Sequence, residues 1–317
     1  MRIVLDTDPG VDDALAIMYL AAQEDAEIVA VGSVHGNVPA PLAATNALRV
    51  LELVGLSVPV AVGAARPLAQ PLQTAEFVHG ADGLGGHAGP EPTGTTVSCS
   101  AAEQLVRLAR EQPGELTLLA LGPLTNIALA VLLEPDLPNL LRSVVVMGGA
   151  VTVPGNITPY ADANFYHDPE AADLVLGAGF PDLTLVGLDA TEQARAGAEW
   201  LSAVGELTGR KAAFANNLLD HYSAFYSNMF GTVSCTLHDP LAAALMLEPK
   251  MATYREMPLA IELNGTHTRG QVVSDQRLIA SDAYIATDAG TGRAPVKVAE
   301  TVDVARFMEQ MFAALNA

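Results

Sequence analysis

The sequence is poor in basic residues, and this shortage excludes one class of partner. It has 16 lysines and arginines against 36 aspartates and glutamates, which gives a formal net charge of −20. Most of such a surface would repel a polyanion, because affinity for nucleic acid comes largely from basic contacts to phosphates. We therefore expect no nucleic-acid partner.

Cysteine is also scarce. Cys99 and Cys235 are far apart and form no metal-ligand spacing, so they argue against a disulfide framework and favour a reducing compartment. The first residues enter a predicted strand at once, without the basic and apolar regions of a signal peptide. We expect the protein to be cytoplasmic.

A membrane span is not expected either. The run from Leu116 to Leu133 is uncharged, but Gly122 and Pro123 interrupt it near the middle. A buried strand, a tight loop and a helix fit this pattern better than a helix in lipid. We expect no membrane partner.

What the chain does have is an alternation of short apolar runs with helical runs, and half of its residues are hydrophobic. The predicted strands are Ile3 to Leu5, Ile28 to Val34, Val58 to Val62, Leu116 to Leu121, Val144 to Val146 and Leu183 to Leu188. The predicted helices are Ala14 to Gln23, Pro39 to Val54, Thr125 to Leu133, Asp168 to Gly177 and Leu241 to Leu247. This order predicts an α/β fold with an open, mainly parallel sheet flanked by helices.

The last third of the chain departs from this alternation. Leu259 to Leu263 and Gln271 to Ser274, with Gly265 between them, predict a small β-hairpin added to the sheet edge. No linker or internal repeat interrupts the chain, so we expect residues 1–317 to form a single domain.

An aspartate-rich turn follows the first predicted strand. Asp6, Asp8, Asp12 and Asp13 lie within eight residues, and like charges at contact distance repel each other or force protonation. A bound divalent cation would resolve the repulsion, and carboxylate oxygens suit calcium or magnesium rather than zinc. Alternatively, Asp12 and Asp13 are residues favoured at a helix N-terminus by capping and the helix dipole.

A second polar pair, His238 and Asp239, precedes the helical run from Leu241 to Leu247. Such pairs are common and are usually structural. Ligands of parallel sheets bind at the carboxyl ends of strands. If the pair lies at such an end, Asp239 can complete the cation site and His238 can act on a substrate.

Several motifs in order carry a family resemblance. They are Asp6-x-Asp8-Pro9-Gly10-x-Asp12-Asp13-Ala14, His35-Gly36-Asn37, His79-Gly80, Gly122-Pro123-Leu124-Thr125-Asn126, Met147-Gly148-Gly149, Gly155-Asn156, Asp162-Ala163-Asn164 and His238-Asp239. The sequence resembles the inosine–uridine-preferring nucleoside hydrolase family. The resemblance implies a Rossmann-like nucleoside hydrolase fold, a homodimer or homotetramer, and a calcium-dependent enzyme that cleaves ribonucleosides into ribose and free base.

The resemblance also implies a set of metal ligands. Asp8 would bind Ca²⁺ and act as the general base for the hydrolytic water, and Asp13 and Asp239 would be further ligands. The main-chain carbonyl of Leu121 would be another. Many family members have threonine there, but a ligand that coordinates through its backbone does not depend on the side chain.

The substrate-binding residues implied by the resemblance fall into two groups. The ribose hydroxyls would be bound by Asp12, Asn156, Asp162 and Asn164, with Asn37 close to the water and the sugar and Met147 lining the pocket. The family more often has glutamate at the position of Asp162, so the shorter side chain must reach further. His79 would contact the base.

The departing base needs a proton or an equivalent polarisation. His238 is the candidate catalytic acid, because a histidine has a pKa near neutrality. Tyr222 and Tyr226 are spaced so that they share one face of a predicted helix. They either stack on the base or relay a proton, or they are ordinary half-buried aromatic residues.

Two other functions fit part of the pattern. Haloacid-dehalogenase-type magnesium phosphohydrolases also open with a strand and two aspartates, but their chemistry needs a downstream lysine. The lysines here are Lys211, Lys250 and Lys297, scattered late in the chain. A non-catalytic nucleoside- or calcium-binding protein is the other alternative. Base preference stays open, with a pyrimidine or mixed preference favoured.

Overall fold

The computed structural model describes residues 1–275 and 292–317. In chain order the elements are β1 (Arg2–Thr7), α1 (Val11–Ala21), β2 (Glu27–Ser33), α2 (Ala40–Leu53), β3 (Val60–Val62), α3 (Glu76–His79), α4 (Ala101–Glu111), β4 (Leu116–Ala120), α5 (Thr125–Leu133), α6 (Leu137–Leu140), β5 (Ser143–Met147), α7 (Ala163–His167), α8 (Pro169–Gly177), β6 (Leu183–Val186), α9 (Leu188–Thr191), β7 (Arg195–Gly197), α10 (Ala198–Gly205), α11 (Arg210–Phe230), β8 (Ser234–Thr236), α12 (His238–Leu247), a 3₁₀ turn (Pro249–Met251), β9 (Ala252–Met257), β10 (Ala260–Ile261), β11 (Val272–Val273), β12 (Val296–Val302) and α13 (Val304–Asn316).

The main sheet confirms the predicted α/β class. It has eight strands in the order β3-β2-β1-β4-β5-β6-β12-β9. Its neighbours pair in parallel, except that β9 runs antiparallel to β12 at one edge. Strands β1, β4 and β5 are buried along nearly their whole length, as expected for parallel strands covered on both faces.

Helices cover both faces of the sheet and divide the core into two layers. One layer contains apolar residues of α1, α2, α11, α12 and α13, for example Ile17 and Leu241. The other contains residues of α4, α5 and α8, for example Leu105 and Ile127. Helix α1 has ten buried residues among its eleven, so it packs on all sides, and it brings its N-terminal aspartates into the interior.

The predicted hairpin forms, but not at the predicted place. Strands β10 and β11 pair in antiparallel fashion as a separate two-stranded sheet. The backbone N–H of Ile261 donates to Asp173 Oδ1 on α8 at 2.9 Å, and Arg269 forms an ion pair with Glu170 of the same helix. The hairpin is therefore held by α8, and the sheet edge is taken by β9.

Some predicted boundaries also shift. Helix α1 begins at Val11 rather than Ala14, which places Asp12 and Asp13 inside its first turn. The uncharged run from Leu116 to Leu133 is a buried strand, a loop and helix α5, as predicted. In the described ranges, no helix is long and apolar enough to cross a membrane.

Candidate active site

The aspartate-rich turn joins β1 to α1 and is tied together by Asp13. Asp13 Oδ2 accepts the N–H of Gly10 at 2.9 Å, and Asp13 Oδ1 accepts the N–H of Asp8 at 3.3 Å and the hydroxyl of Thr7. Asp13 therefore does what the capping alternative expects. Its carboxylate also faces other carboxylates, so capping does not exhaust its role.

The loop after β2 brings Asn37 against two of these aspartates. The Asn37 N–H donates to Asp8 Oδ2 at 2.7 Å, and its side-chain Nδ2 donates to Asp13 Oδ2 at 3.0 Å. Behind it, His35 Nε2 lies 3.0 Å from Thr125 Oγ1, which donates to Asp168 Oδ2 at 2.6 Å. The backbone N–H of Asn37 thus fixes the position of Asp8, and its side-chain amide fixes that of Asp13.

Asp239 joins this group from another part of the chain. Carboxylate oxygens of Asp12, Asp13 and Asp239 all lie within 4.8 Å of one another, and all three residues are buried. Asp239 is in the first turn of α12, after β8, which belongs to a small antiparallel sheet with β7 rather than to the main sheet. The structure thus groups Asp12, predicted as a sugar contact, with two predicted metal ligands, and Asp8 lies beside that group.

The cluster is electrostatically strained as it stands. Burial, and then the charge of Asp13, raises the pKa of Asp8 well above its usual range. The same two causes raise the pKa of Asp12 to about 8. Burial, followed by the charges of the other aspartates, raises the pKa of Asp239. Among the described residues no lysine or arginine forms an ion pair with these carboxylates, so nothing in the cluster offsets their charge.

The donor set fits a hard divalent cation. Asp8 Oδ1 is buried without a hydrogen-bond partner, and a Cβ at Gly122 would lie 2.5 Å from this oxygen, which places it against the Leu121–Gly122 segment. The donors are all oxygens, as calcium and magnesium prefer. The Leu121 carbonyl accepts a hydrogen bond from Asn164 Nδ2 at 2.6 Å and has a second lone pair for a cation.

The residues predicted on the sugar side of the substrate lie together beside the cluster. Asp12, Asn37, Met147, Asn156, Asp162 and Asn164 all line one cavity of about 610 Å³. Asn164 Nδ2 also donates to the Met147 carbonyl at 3.1 Å. Asp162 is the N-cap of α7, and its carboxylate accepts the N–H groups of Gly149 and Phe165 at 2.7 and 2.9 Å. Much of its hydrogen-bonding capacity therefore serves the backbone.

The far wall of the cavity is aromatic. Tyr222 and Tyr226 lie on α11 and pack edge to face with ring centroids 5.0 Å apart, so the predicted shared helix face is confirmed. Tyr222 donates to Asp12 Oδ2 at 3.4 Å. The cavity thus has a carboxylate and amide floor on one side and stacking surfaces on the other, as a nucleoside requires.

His238 is buried at the junction of floor and wall. Its Nδ1 lies 2.8 Å from Thr191 Oγ1, and its Nε2 lies 3.1 Å from the hydroxyl of Tyr226. Burial lowers the pKa of His238 to about 4, so the expected pKa near neutrality is wrong and the ring is neutral at pH 7. The neutral ring is hydrogen-bonded to the Tyr226 hydroxyl.

His79 faces the cavity from the end of α3. Its Nδ1 accepts the N–H of Val11 at 3.1 Å, and its ring lies 5.5 Å from that of Tyr222. Burial lowers the pKa of His79 to about 3. Since Nδ1 is an acceptor in a neutral ring, the proton is on Nε2, which is left as a donor.

Sequence reasoning missed several residues of the cavity wall. Phe77, Glu192, Arg195, Phe225, Met229 and Phe230 also line it. The two phenylalanines of α11 could have been found, because they extend the helix face that carries Tyr222 and Tyr226. Glu192 and Arg195 gave no signal, since they follow the short helix α9, which begins at Leu188, where the sequence pattern predicted the end of a strand.

Comparison with known proteins shows the family of this chain. The family model described as "Inosine-uridine preferring nucleoside hydrolase" matches residues 3–309. The chain therefore belongs to the inosine–uridine-preferring nucleoside hydrolase family.

Named relatives are similar over nearly the whole chain. Uridine nucleosidase 1 of Arabidopsis thaliana is 36% identical over 316 residues, which cover 99% of this chain and 93% of the relative. The pyrimidine-specific ribonucleoside hydrolase RihA of Shewanella woodyi is 38% identical over 276 residues, 86% of this chain and 88% of the relative.

Solved structures show the same fold. A plant nucleoside hydrolase superposes with a TM-score of 0.91 at 32% identity, covering 100% of this chain and 99% of that one. A purine-preferring ribonucleoside hydrolase from Gardnerella vaginalis gives 0.91 at 28% identity, covering 100% and 98%. The protein is a nucleoside hydrolase, an enzyme that hydrolyses the N-glycosidic bond of ribonucleosides to ribose and free base, and its family is metal-dependent.

Proposed function

We propose that this enzyme uses Ca²⁺ held by Asp8, Asp13, Asp239 and the Leu121 carbonyl, with Asp12 beside them. The observation that carries the proposal is the buried carboxylate cluster without a compensating charge, next to the unpartnered Asp8 Oδ1. Calcium bound there would supply that charge and make a water molecule a better nucleophile.

The residues of the floor would then perform the hydrolytic half of the reaction. Asp8, oriented by the Asn37 N–H, takes the proton of the attacking water. Asp12, Asn156, Asp162 and Asn164 hold the ribose hydroxyls. N-glycoside cleavage develops positive charge on the sugar, as in O-glycoside hydrolysis, and the neighbouring carboxylates stabilise that charge.

The aromatic wall would serve the leaving base. Tyr222 and His79 contact the base, and Tyr226 donates a hydrogen bond to it as negative charge develops there. His238 orients the Tyr226 hydroxyl through the 3.1 Å contact and is itself held by Thr191. The hydrogen-bonded chain of Thr191, His238 and Tyr226 thus assists departure of the base in place of a single charged acid.

We propose a preference for pyrimidine nucleosides, uridine among them. The names of the relatives support it, since they are called uridine nucleosidase and pyrimidine-specific hydrolase, although a structural neighbour is purine-preferring. The test is a kcat/KM panel over uridine, cytidine, inosine and adenosine, with and without chelator, measuring reducing sugar. Faster purine cleavage would overturn the preference, and full activity in chelator would overturn the metal role.

Three whole-chain properties complete the proposal. We propose a homodimer or homotetramer, one domain over residues 1–317, and a cytoplasmic enzyme. The thiols Cys99 and Cys235 are free in the structure, which is compatible with a reducing compartment. Light scattering on the eluting protein tests the oligomer, and one cooperative unfolding transition supports one domain.

A further inference from the structure

A charged pair at the rim of the cavity has no part in the functions above. Glu192 and Arg195 follow α9, and both line the cavity. Arg195 Nη2 donates to Glu192 Oε2 at 2.8 Å, and the guanidinium carbon lies 5.4 Å from the ring centroid of Phe230. The guanidinium is thus held from two sides, although 39% of the Arg195 side chain is exposed.

Arg195 keeps unused hydrogen-bond donors. Its guanidinium carries several N–H groups in a planar fork and no acceptor. Among the residues that the structure describes, the hydrogen-bond partner of the Arg195 side chain is Glu192. The remaining N–H groups are available to a ligand in the cavity.

Arg195 lies on the side of the cavity that suits the base rather than on the side that suits the sugar. The carboxylates and amides that suit ribose lie at the floor, around Asp12 and Asn164. Arg195 lies instead against Phe230, on the wall that carries Tyr226. A base stacked on this wall would present its polar edge, remote from the glycosidic bond, toward the rim.

Resting on the proposed function, we propose that Arg195 is a specificity residue that donates to the carbonyl oxygen on the remote edge of the base. Uracil carries such an oxygen there, whereas cytosine carries an amino group, which would place a donor against a donor. A site that hydrogen-bonds a substrate group discriminates against analogues that cannot pair with it, because the buried partners are left unsatisfied.

The test compares one variant on two substrates. Arg195→Met keeps an apolar stem against Phe230 and removes the donors. With uridine, kcat/KM falls by about 10-fold or more. With pyrimidin-2-one ribonucleoside, which lacks the remote oxygen, it changes by less than about 3-fold. Loss of the Arg195 charge affects His238 equally with both substrates. This effect therefore cancels in the ratio of the two kcat/KM values.

Two controls complete the experiment. Arg107→Met removes a surface arginine that pairs with Glu111 and leaves both rates unchanged. Arg195→Lys keeps the charge but loses the planar fork of donors. Its kcat/KM for uridine therefore falls between the values of the wild type and Arg195→Met.

The outcomes separate this inference from the proposed function. Equal losses of Arg195→Met on both substrates, or no loss on uridine, overturn the role of Arg195 while the hydrolase function stands. If the folded wild-type enzyme releases ribose from neither substrate, the proposed function itself fails.

Discussion

Asp8 and Asp13 face the same interior but differ in their partners. Asp13 is held in place by the turn, where Gly10, Asp8 and Thr7 donate to it, and by the side-chain amide of Asn37. Asp8 accepts one N–H from Asn37 and keeps Oδ1 free. An unsatisfied buried carboxylate oxygen is costly, so its retention favours a functional role. The residue with the free oxygen is the one suited to take a proton.

Asp8→Ala tests this assignment. We expect kcat for uridine to fall by about 10²- to 10⁴-fold, because the general base is lost, and calcium affinity to weaken. Isothermal titration with Ca²⁺ and ribose release measure the two effects. Asp25→Asn, an exposed carboxylate, serves as the control. A near wild-type rate for Asp8→Ala would remove Asp8 from the mechanism.

His238→Ala tests the leaving-group chain. For uridine we expect kcat to fall by about 10²-fold, because Tyr226 loses the partner that orients its hydroxyl. For p-nitrophenyl riboside, whose leaving group needs no such help, the loss stays below about 10-fold. Equal losses on the two substrates would show that His238 does not act on the leaving group.

At the scale of elements, the site depends on how closely loops approach the end of β1. A Cβ added at Gly122 would lie 2.5 Å from Asp8 Oδ1 and 2.8 Å from Val34. The loop after β4 can therefore reach Asp8 only without a side chain at this position. The absence of a Cβ is what lets the Leu121–Gly122 segment and Asp8 share one small space.

Gly122→Ala is expected to displace Asp8 and lower kcat/KM by about 10²-fold, because small misplacements of a reacting group are costly. Gly205→Ala is the matched control: the nearest atom to its added Cβ is an Asn216 side-chain oxygen at 3.3 Å. Circular dichroism establishes that both variants fold. Unchanged activity of Gly122→Ala would show that this close approach is not needed for catalysis.

Elements with periodic apolar sequence were predictable, and so was the grouping of their ends. Strands β1, β4 and β5 and helix α5 have strong local signals, and parallel strands end at one edge. Strands β9 and β12 were missed. The sequence Ala252–Met257 alternates buried and exposed residues only weakly, and its pairing with β12 is set by distant contacts. The hairpin was predicted, but its packing on α8 depends on Asp173 and Glu170.

The candidate site also contains residues that the sequence predicted and residues that it did not. Residues in recognisable motifs, such as Asp8 and Asn164, were predicted from sequence. Arg195 and Phe230 were not, because cavity walls are assembled from side chains far apart in sequence. The pKa of His238 was predicted wrongly, since burial depends on the whole fold.

At the scale of the whole molecule, buried neutral histidines link stability to pH. Burial lowers the pKa of His167 to about 4 and that of His35 to about 4. The unfolded chain takes up protons on these histidines near pH 6.5, while the folded chain does not. Their contribution therefore makes the folded state lose stability as pH falls from about 6.5 toward 4.

His167→Gln is expected to reduce this acid sensitivity. Between pH 7.5 and pH 5 the melting temperature of the wild type should fall further than that of the variant. The difference corresponds to about 2 kcal/mol in the free energy of unfolding. Saturating Ca²⁺ holds the carboxylate cluster constant during the comparison. His87→Gln, at an exposed position, is expected to behave as wild type. Identical pH dependence of wild type and His167→Gln would show that burial of His167 does not link stability to pH.

We propose that the buried aspartates hold the calcium on which hydrolysis depends. The most direct measurement titrates Ca²⁺ into metal-depleted protein while ribose release from uridine is followed. We predict that activity rises from background to a plateau, and that Asp239→Asn shifts the midpoint to higher Ca²⁺ whereas Asp25→Asn does not. Full activity of the verified metal-free enzyme, or a plateau that is reached identically with Asp239→Asn, would show that the aspartates do not hold a catalytic calcium.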